Sequence, residues 1–278
     1  MTRSATNHST HERSAQIRVG IGGWSYEPWR QTFYPQDLPK KSELHYASRH
    51  VTAIEINSTF YRSQTPSVFA KWRDDTPEEF VFSIKAPRYI VHRRALAEGG
   101  KALEGFLNSG IVELGRKLGA LLWQLPPEKV FNAADLEGFF RLLPDTIGTT
   151  PLRHAVEVRH ESFRCAEFIE LARQYHVATV YTHSHEYPAI ADLTGPFVYV
   201  RLRESMANET TGYPQEALSM WASRARRWSR GEDVSNLPLL AEPVSARDRD
   251  VFIYFINGAK ERAPLAAMAL LSALSEQK

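Results

Sequence analysis

The sequence predicts an α/β chain folded as one closed (β/α)8 barrel over residues 17–278. Three observations carry this reading. Eight short runs rich in β-branched and aromatic residues, each bounded by turn residues, recur along the chain. Almost every run is followed by a segment of helical period, and strict alternation implies parallel strands joined by crossover helices. Eight such units in roughly 260 residues is the size of a closed barrel. An open doubly wound sheet is the alternative.

Ile17–Gly22 is the first expected strand, and the first helix falls near Ser42–Arg49. Ala53–Asn57 is the second strand. Thr65-Pro66 then introduces a helix at Ser67–Asp75, because proline at a helix start costs no hydrogen bond. Phe80–Lys85 is the third strand, followed by a long helix at Glu98–Lys117. Gly119–Gln124 with Ala133–Leu142 makes the fourth unit, and His154–Val158 with Phe163–Tyr175 the fifth. Ala178–Thr182 and Phe197–Leu202 are the sixth and seventh strands. Tyr213-Pro214 opens a helix at Pro214–Arg230, and Val251–Phe255 precedes the last helix, Arg262–Ser275. Two loops stand out by length, Arg203–Tyr213 and Gly231–Asp250, and long structureless loops in a compact domain are expected to be functional.

The formal charge is only +2, from 34 Lys plus Arg against 32 Asp plus Glu. That argues against a protein that grips nucleic acid by bulk charge, and against an acidic tail. With 43% hydrophobic and 24% charged residues, the composition is that of an ordinary soluble globular protein. No apolar run approaches the roughly 18 residues needed to span a bilayer. The single cysteine, Cys165, permits no intramolecular disulfide and fits a reducing, cytoplasmic setting. Residues 1–16 are rich in Ser, Thr, His and Arg, lack the apolar region of a secretory signal, and are expected to form a disordered tail.

Side chains alternate across a strand, so each strand has an inward and a helix-facing row. Placing the isoleucines of the second strand against the helices sends Glu55 and Asn57 into the barrel. The same parity sends Ser83 and Lys85 inward from the third strand, Glu157 and Arg159 from the fifth, and Tyr199, Arg201 and Arg203 from the seventh. Four strands thus each aim charge inward near their C-terminal ends, the face that carries the active site in this fold. Unpaired buried charge is costly, so these groups must pair, meet water or meet a ligand. A salt-bridge network plugging the mouth is the plain reading. A polar pocket with two carboxylates and several cations is the functional one, and its cationic excess favours an anionic ligand.

Other signals are weaker. Gly20-Ile21-Gly22-Gly23 lacks the third glycine and the helix start of a dinucleotide fingerprint, and is read as a backbone turn over the barrel mouth. Trp24, Tyr26, Trp29, Phe33 and Tyr34, with Phe60 and Tyr61, form either a stacking platform or loop core. His183-Ser184-His185-Glu186 offers a His-x-His pair without further ligands at a recognisable spacing, so no metal and no cofactor is assigned. His92 and His160, which follow the third and fifth strands, are acid–base or anion-contact candidates. Cys165 lacks an obvious base and is not read as a nucleophile.

The chain resembles the YecE-like family of bacterial and archaeal proteins, long listed as of unknown function, from Ile17 to Leu274. The resemblance is carried by Gly22-Gly23-Trp24-Ser25-Tyr26, Glu55-Ile56-Asn57-Ser58-Thr59-Phe60-Tyr61-Arg62, Phe80–Pro87 with His92, Gln124-Leu125-Pro126-Pro127, Val156-Glu157-Val158-Arg159-His160, Tyr199-Val200-Arg201-Leu202, and Tyr254-Phe255 with Asn257. It implies a TIM-type barrel, with Glu55, Asn57, Tyr61, Lys85, Glu157, Arg159 and Arg201 as motif residues. It supplies no reaction, since the loose description as sugar-isomerase-related is an analogy of fold. Arg203-Glu204 stands where the family usually has His-Gly, Ile256 where it tends to Asn, and Val91 where Thr usually precedes the histidine.

The expected function is an enzyme, isomerase or hydrolase, acting on a small anionic substrate, sugar-like or phosphorylated. Glu55, Glu157, Lys85 and His92 are the catalytic candidates. Trp24, Asn57, Tyr61, Arg159, His160, Tyr199, Arg201 and Asn257 are the substrate-binding candidates. A nucleic-acid-binding barrel and a non-catalytic small-molecule binding protein are the alternatives, and no membrane partner is expected.

Overall fold

The computed structural model describes residues 14–234 and 236–276. Of the tail expected at 1–16, residues 1–13 lie outside the described residues. Gln16 is already tied to the barrel: its N–H donates to Asp250 Oδ1 at 2.9 Å and its carbonyl accepts from the Val251 N–H.

The strands are β1 (Ile17–Gly22), β2 (Ala53–Ile56), β3 (Val81–Lys85), β4 (Leu118–Gln124), β5 (His154–Glu157), β6 (Ala178–His183), β7 (Phe197–Leu202) and β8 (Asp250–Phe255). They pair in parallel around a closed barrel, each with its neighbours in chain order, and the β1–β8 seam runs from Ile17 opposite Val251 to Ile21 opposite Phe255. The helices are α1 (Glu43–Ala47), α2 (Pro66–Asp74), α3 (Arg88–Val91), α4 (Gly100–Leu107), α5 (Ala133–Leu142), α6 (Ala166–Gln174), α7 (Gln215–Ser229) and α8 (Ala263–Ser275). Their starts follow local chemistry. Pro66 begins α2, and Asn132 caps α5 by accepting from the Asp135 N–H at 2.9 Å.

Strand parity divides the interior in two. Ile54, Phe82, Ile84, Val156, Val198 and Val200 are buried between barrel and helices. Ala53, Ala120, Leu122, Val180, Tyr199 and Tyr254 fill the barrel itself. Each large side chain in these layers contributes roughly 1.5–3 kcal/mol by leaving water. Gly20 is required here: a Cβ on it would sit 2.0 Å from the Ala53 carbonyl oxygen and 3.2 Å from the Tyr254 ring. Gly23 makes the turn at the mouth with φ +76°, and its N–H donates to the Glu55 carbonyl at 2.9 Å.

Two expectations are corrected. The long helix at Glu98–Lys117 is broken: α4 stops at Leu107 and a 3-10 stretch, Ile111–Lys117, follows. The break falls at Gly110, whose φ of +104° suits glycine, and Pro66 packs against it so closely that a Cβ would lie 2.6 Å from the proline Cα. The long segment before β8 serves the fold. It follows α7 and so lies toward the N-terminal ends of the strands. No helix joins β6 to β7, and the chain instead descends beside β6, with the Thr179 N–H donating to Thr194 Oγ1 and Thr179 Oγ1 donating to the Asp192 carbonyl. Residues 236–249 cover that descent. The Ala191 N–H donates to the Pro238 carbonyl, and the Asp192 carboxylate accepts from the Leu240 and Ala241 N–H groups at 2.9 and 3.0 Å. No helix among the described residues is long and apolar enough to cross a membrane.

Candidate functional site

The inward charges converge at the C-terminal mouth of the barrel, and Arg201 is their hub. Its Nε and Nη2 donate to Glu55 Oε2 and Oε1 at 3.1 and 3.0 Å, a two-pronged pair, while Nη1 donates to Glu157 Oε2. Both carboxylates accept further hydrogen bonds. Tyr199 OH donates to Glu55 Oε2 at 2.8 Å, Gln124 Nε2 donates to Glu157 Oε2, and Thr182 Oγ1 donates to Glu157 Oε1 at 3.3 Å. Glu55 and Glu157 are fully buried and Arg201 is 2% exposed. Ions this deep persist only when paired and hydrogen-bonded, and here they are.

That setting fixes protonation. Burial pushes the Glu157 carboxyl up, but the Arg201 and Arg159 charges and the Gln124 hydrogen bond together pull it down to about 2. Burial likewise opposes the Arg201 charge, and Glu157 and Glu55 more than restore it, so its pKa lies above the ordinary guanidinium value. Glu157 is therefore held as an anion near neutral pH, paired with Arg201. Glu55 and Glu157 act as counter-ions that hold Arg201.

A second tier lies above this one. Lys85 Nζ sits 3.9 Å over the Phe60 ring. Burial, aided by the Arg201 charge, lowers the Lys85 pKa to about 8 against the pull of Glu55 and Glu157. Arg159 Nη2 stands 3.6 Å from Glu157 Oε1, and its guanidinium lies 4.4 Å from the Tyr187 ring centroid. The Arg203 guanidinium lies 4.7 Å from the same ring, and its Nη2 contacts Glu186 Oε2 at 3.3 Å. With its amide turned to satisfy both ends, Asn257 accepts from Arg203 Nη2 at 3.0 Å and donates to the Ile256 carbonyl. The Nε groups of Arg159 and Arg203 are buried with no hydrogen-bond partner among the described residues. Four cations, Lys85, Arg159, Arg201 and Arg203, thus gather with the two buried carboxylates and the exposed Glu186.

The other predicted site residues lie at the edge of this cluster or outside it. Trp24 packs edge-on against Trp72 and Phe82 on the helix side of the barrel. Tyr61 is 73% exposed. His92 is exposed, with its ring 5.6 Å from Phe60. His160 accepts from the Ser162 N–H and caps a short 3-10 turn. Asn57 Nδ2 donates back to the Glu55 carbonyl. Trp29, Phe33 and Tyr34 are buried against one another and Tyr46, so the early aromatics are loop core. His183 and His185 both approach Glu204 Oε2, at 3.4 and 3.3 Å, and no group of three or more His, Cys, Asp or Glu among the described residues is placed to hold a metal.

Two spaces lie outside this cluster. A cavity of about 710 Å³ at the N-terminal ends of the strands sets Arg18, Arg116 and Arg153 against Glu78, Glu79 and Asp250. A cleft of about 820 Å³ beside His92 sets Arg93, Arg94 and Lys129 against Glu98, Glu128 and Asp135. Both set three cations against three carboxylates, whereas the mouth sets four cations against Glu55, Glu157 and Glu186.

Gln124, Thr182 and Tyr187 lie outside the sequence-based set. The first two follow the same inward parity, but neither carries the charge by which the other inward residues stand out. Tyr187 sits on a loop, where no period signals a direction.

A family model described as "Protein of unknown function DUF72" matches residues 18–278. The UPF0759 protein YecE of Escherichia coli (strain K12) is 31% identical over 147 residues, 53% of this chain and 50% of that protein, so the match spans half of that relative's length. The UPF0759 protein YunF of Bacillus subtilis (strain 168) is 27% identical over 203 residues, 70% of this chain and 68% of that protein. The crystal structure of a DUF72 family protein from Thermotoga maritima is similar with a TM-score of 0.71 at 21% identity, covering 94% of this chain and 99% of that one. That likeness supports the fold.

Proposed function

The chain belongs to the DUF72 family, whose description assigns no function, and from the site itself we propose that the barrel mouth binds a small organic anion, sugar-like or phosphorylated, with Lys85 exchanging a proton with it. The observation that carries this is the gathering of four cations against three carboxylates, Glu55, Glu157 and the exposed Glu186, in one mouth, with the Nε groups of Arg159 and Arg203 unpartnered among the described residues. Arg201 is already consumed by Glu55 and Glu157, so the anion falls to Arg159 and Arg203, whose forked donors suit phosphate or carboxylate. Lys85, with a pKa of about 8, is populated in both protonation states near neutral pH, as a general acid or base requires. Isomerisation and hydrolysis both need such a group.

Calorimetric titration with inorganic phosphate and a panel of sugar phosphates tests the reading. Arg159→Ala and Arg203→Ala are each expected to weaken binding by about tenfold or more, the worth of a charge-assisted hydrogen bond. Unchanged affinity in both variants rejects it. Binding of the whole panel without turnover of any member supports the non-catalytic form of the same site.

A further inference from the structure

We infer that Glu186 occupies, in the unliganded protein, the seat on Arg203 that an incoming anion takes, so that the protein carries a weak competitor for its own mouth. The inference rests on the anion-binding reading of the mouth and concerns what the mouth holds when empty of ligand.

The two partners are unequally placed. The Arg203 side chain is 7% exposed, whereas that of Glu186 is 69% exposed. The cation is fixed at the end of β7 and held by Asn257, while the carboxylate reaches in from the connection between β6 and β7, which has no helix to anchor it. Their contact, 3.3 Å, is long beside the roughly 2.7–2.9 Å of a strong charge-assisted hydrogen bond. Arg203 Nε remains buried with no partner among the described residues. Tyr187, next in sequence to Glu186, meets both Arg203 and Arg159 through its ring, so two consecutive residues cover the pair of arginines assigned to the anion.

A phosphoryl group offers several oxygens to these donors, including the unpartnered Nε, where Glu186 contributes one distant oxygen. Releasing Glu186 costs little, because its carboxylate is already largely hydrated and exposed ion pairs are weak. The apparent affinity of the mouth is then reduced by the fraction of protein in which Glu186 is seated.

Titration of inorganic phosphate at low ionic strength into wild-type, Glu186→Gln, Arg203→Ala and doubly substituted protein tests this. Glu186→Gln is expected to bind about three- to tenfold tighter than wild type, with the gain shrinking as salt screens the pair. In the Arg203→Ala background the same substitution is expected to give no gain. Equal or weaker binding by Glu186→Gln, or an equal gain without Arg203, overturns the inference and leaves the mouth reading standing. Absence of phosphate binding by wild type and Glu186→Gln alike overturns both.

Discussion

At the scale of single residues, the site is a set of ions kept in unfavourable surroundings. Lys85 is the clearest case. Its pKa falls from 10.5 to about 8 because burial disfavours the ammonium. Between those two pH values the unfolded chain holds the proton and the folded chain does not. Stability therefore rises with pH across that window, and below it the buried charge weighs against folding. Lys85→Met is expected to be more stable than wild type by about 1–3 kcal/mol at pH 7. The difference should shrink toward pH 10.5, read by urea unfolding, while phosphate affinity drops. A destabilised Lys85→Met protein would show that the ammonium supports the fold. Glu157 has the opposite sign. Its pKa falls from 4.5 to about 2, so its stabilisation is full above 4.5 and is lost as pH falls toward 2. Glu157→Gln leaves Arg201 short of a counter-ion and is expected to cost about 3–5 kcal/mol at pH 7. Its stability should also fall less steeply than wild type's between pH 4.5 and 2, measured by denaturant unfolding across that range.

At the scale of elements, the departures from regular β–α alternation are informative. The helix after β3 stops at Leu107, and the turn that follows needs glycine at 110 because Pro66, at the head of α2, occupies the space a side chain would need. Gly110→Ala adds both a strained left-handed φ and a contact of 2.6 Å, and is expected to cost about 2–4 kcal/mol in urea unfolding without changing phosphate affinity. A cost below about 1 kcal/mol would mean that α2 shifts freely. The missing helix between β6 and β7 has a different consequence. A helix would bury that connection, whereas the extended path leaves 184–187 at the mouth, where Glu186 and Tyr187 reach Arg203. Residues 236–249 then supply, from the opposite end, the cover that the helix would have given.

At the scale of the whole molecule, the closed barrel gathers four cations and three carboxylates of a nearly neutral chain at one mouth. Much of this was legible in the residues. The alternation of β-branched runs and helical periods specified eight parallel strands, and the period of two in each strand specified that Glu55, Lys85, Glu157 and Arg201 share the interior. Loop residues were less legible. Trp24 and His160 sit beside motif strands in sequence, yet one packs against α2 and the other caps a turn, because no repeat fixes where a loop side chain points. Which charges pair was decided only by the tertiary structure. Glu55 and Arg201 are 146 residues apart, and they meet because closure brings β2 and β7 to face each other across one barrel. Local periodicity sets the face of a strand, since that depends on backbone geometry alone. Partner, burial and pKa depend on register and on the path of distant loops, and these exist only once the barrel has closed.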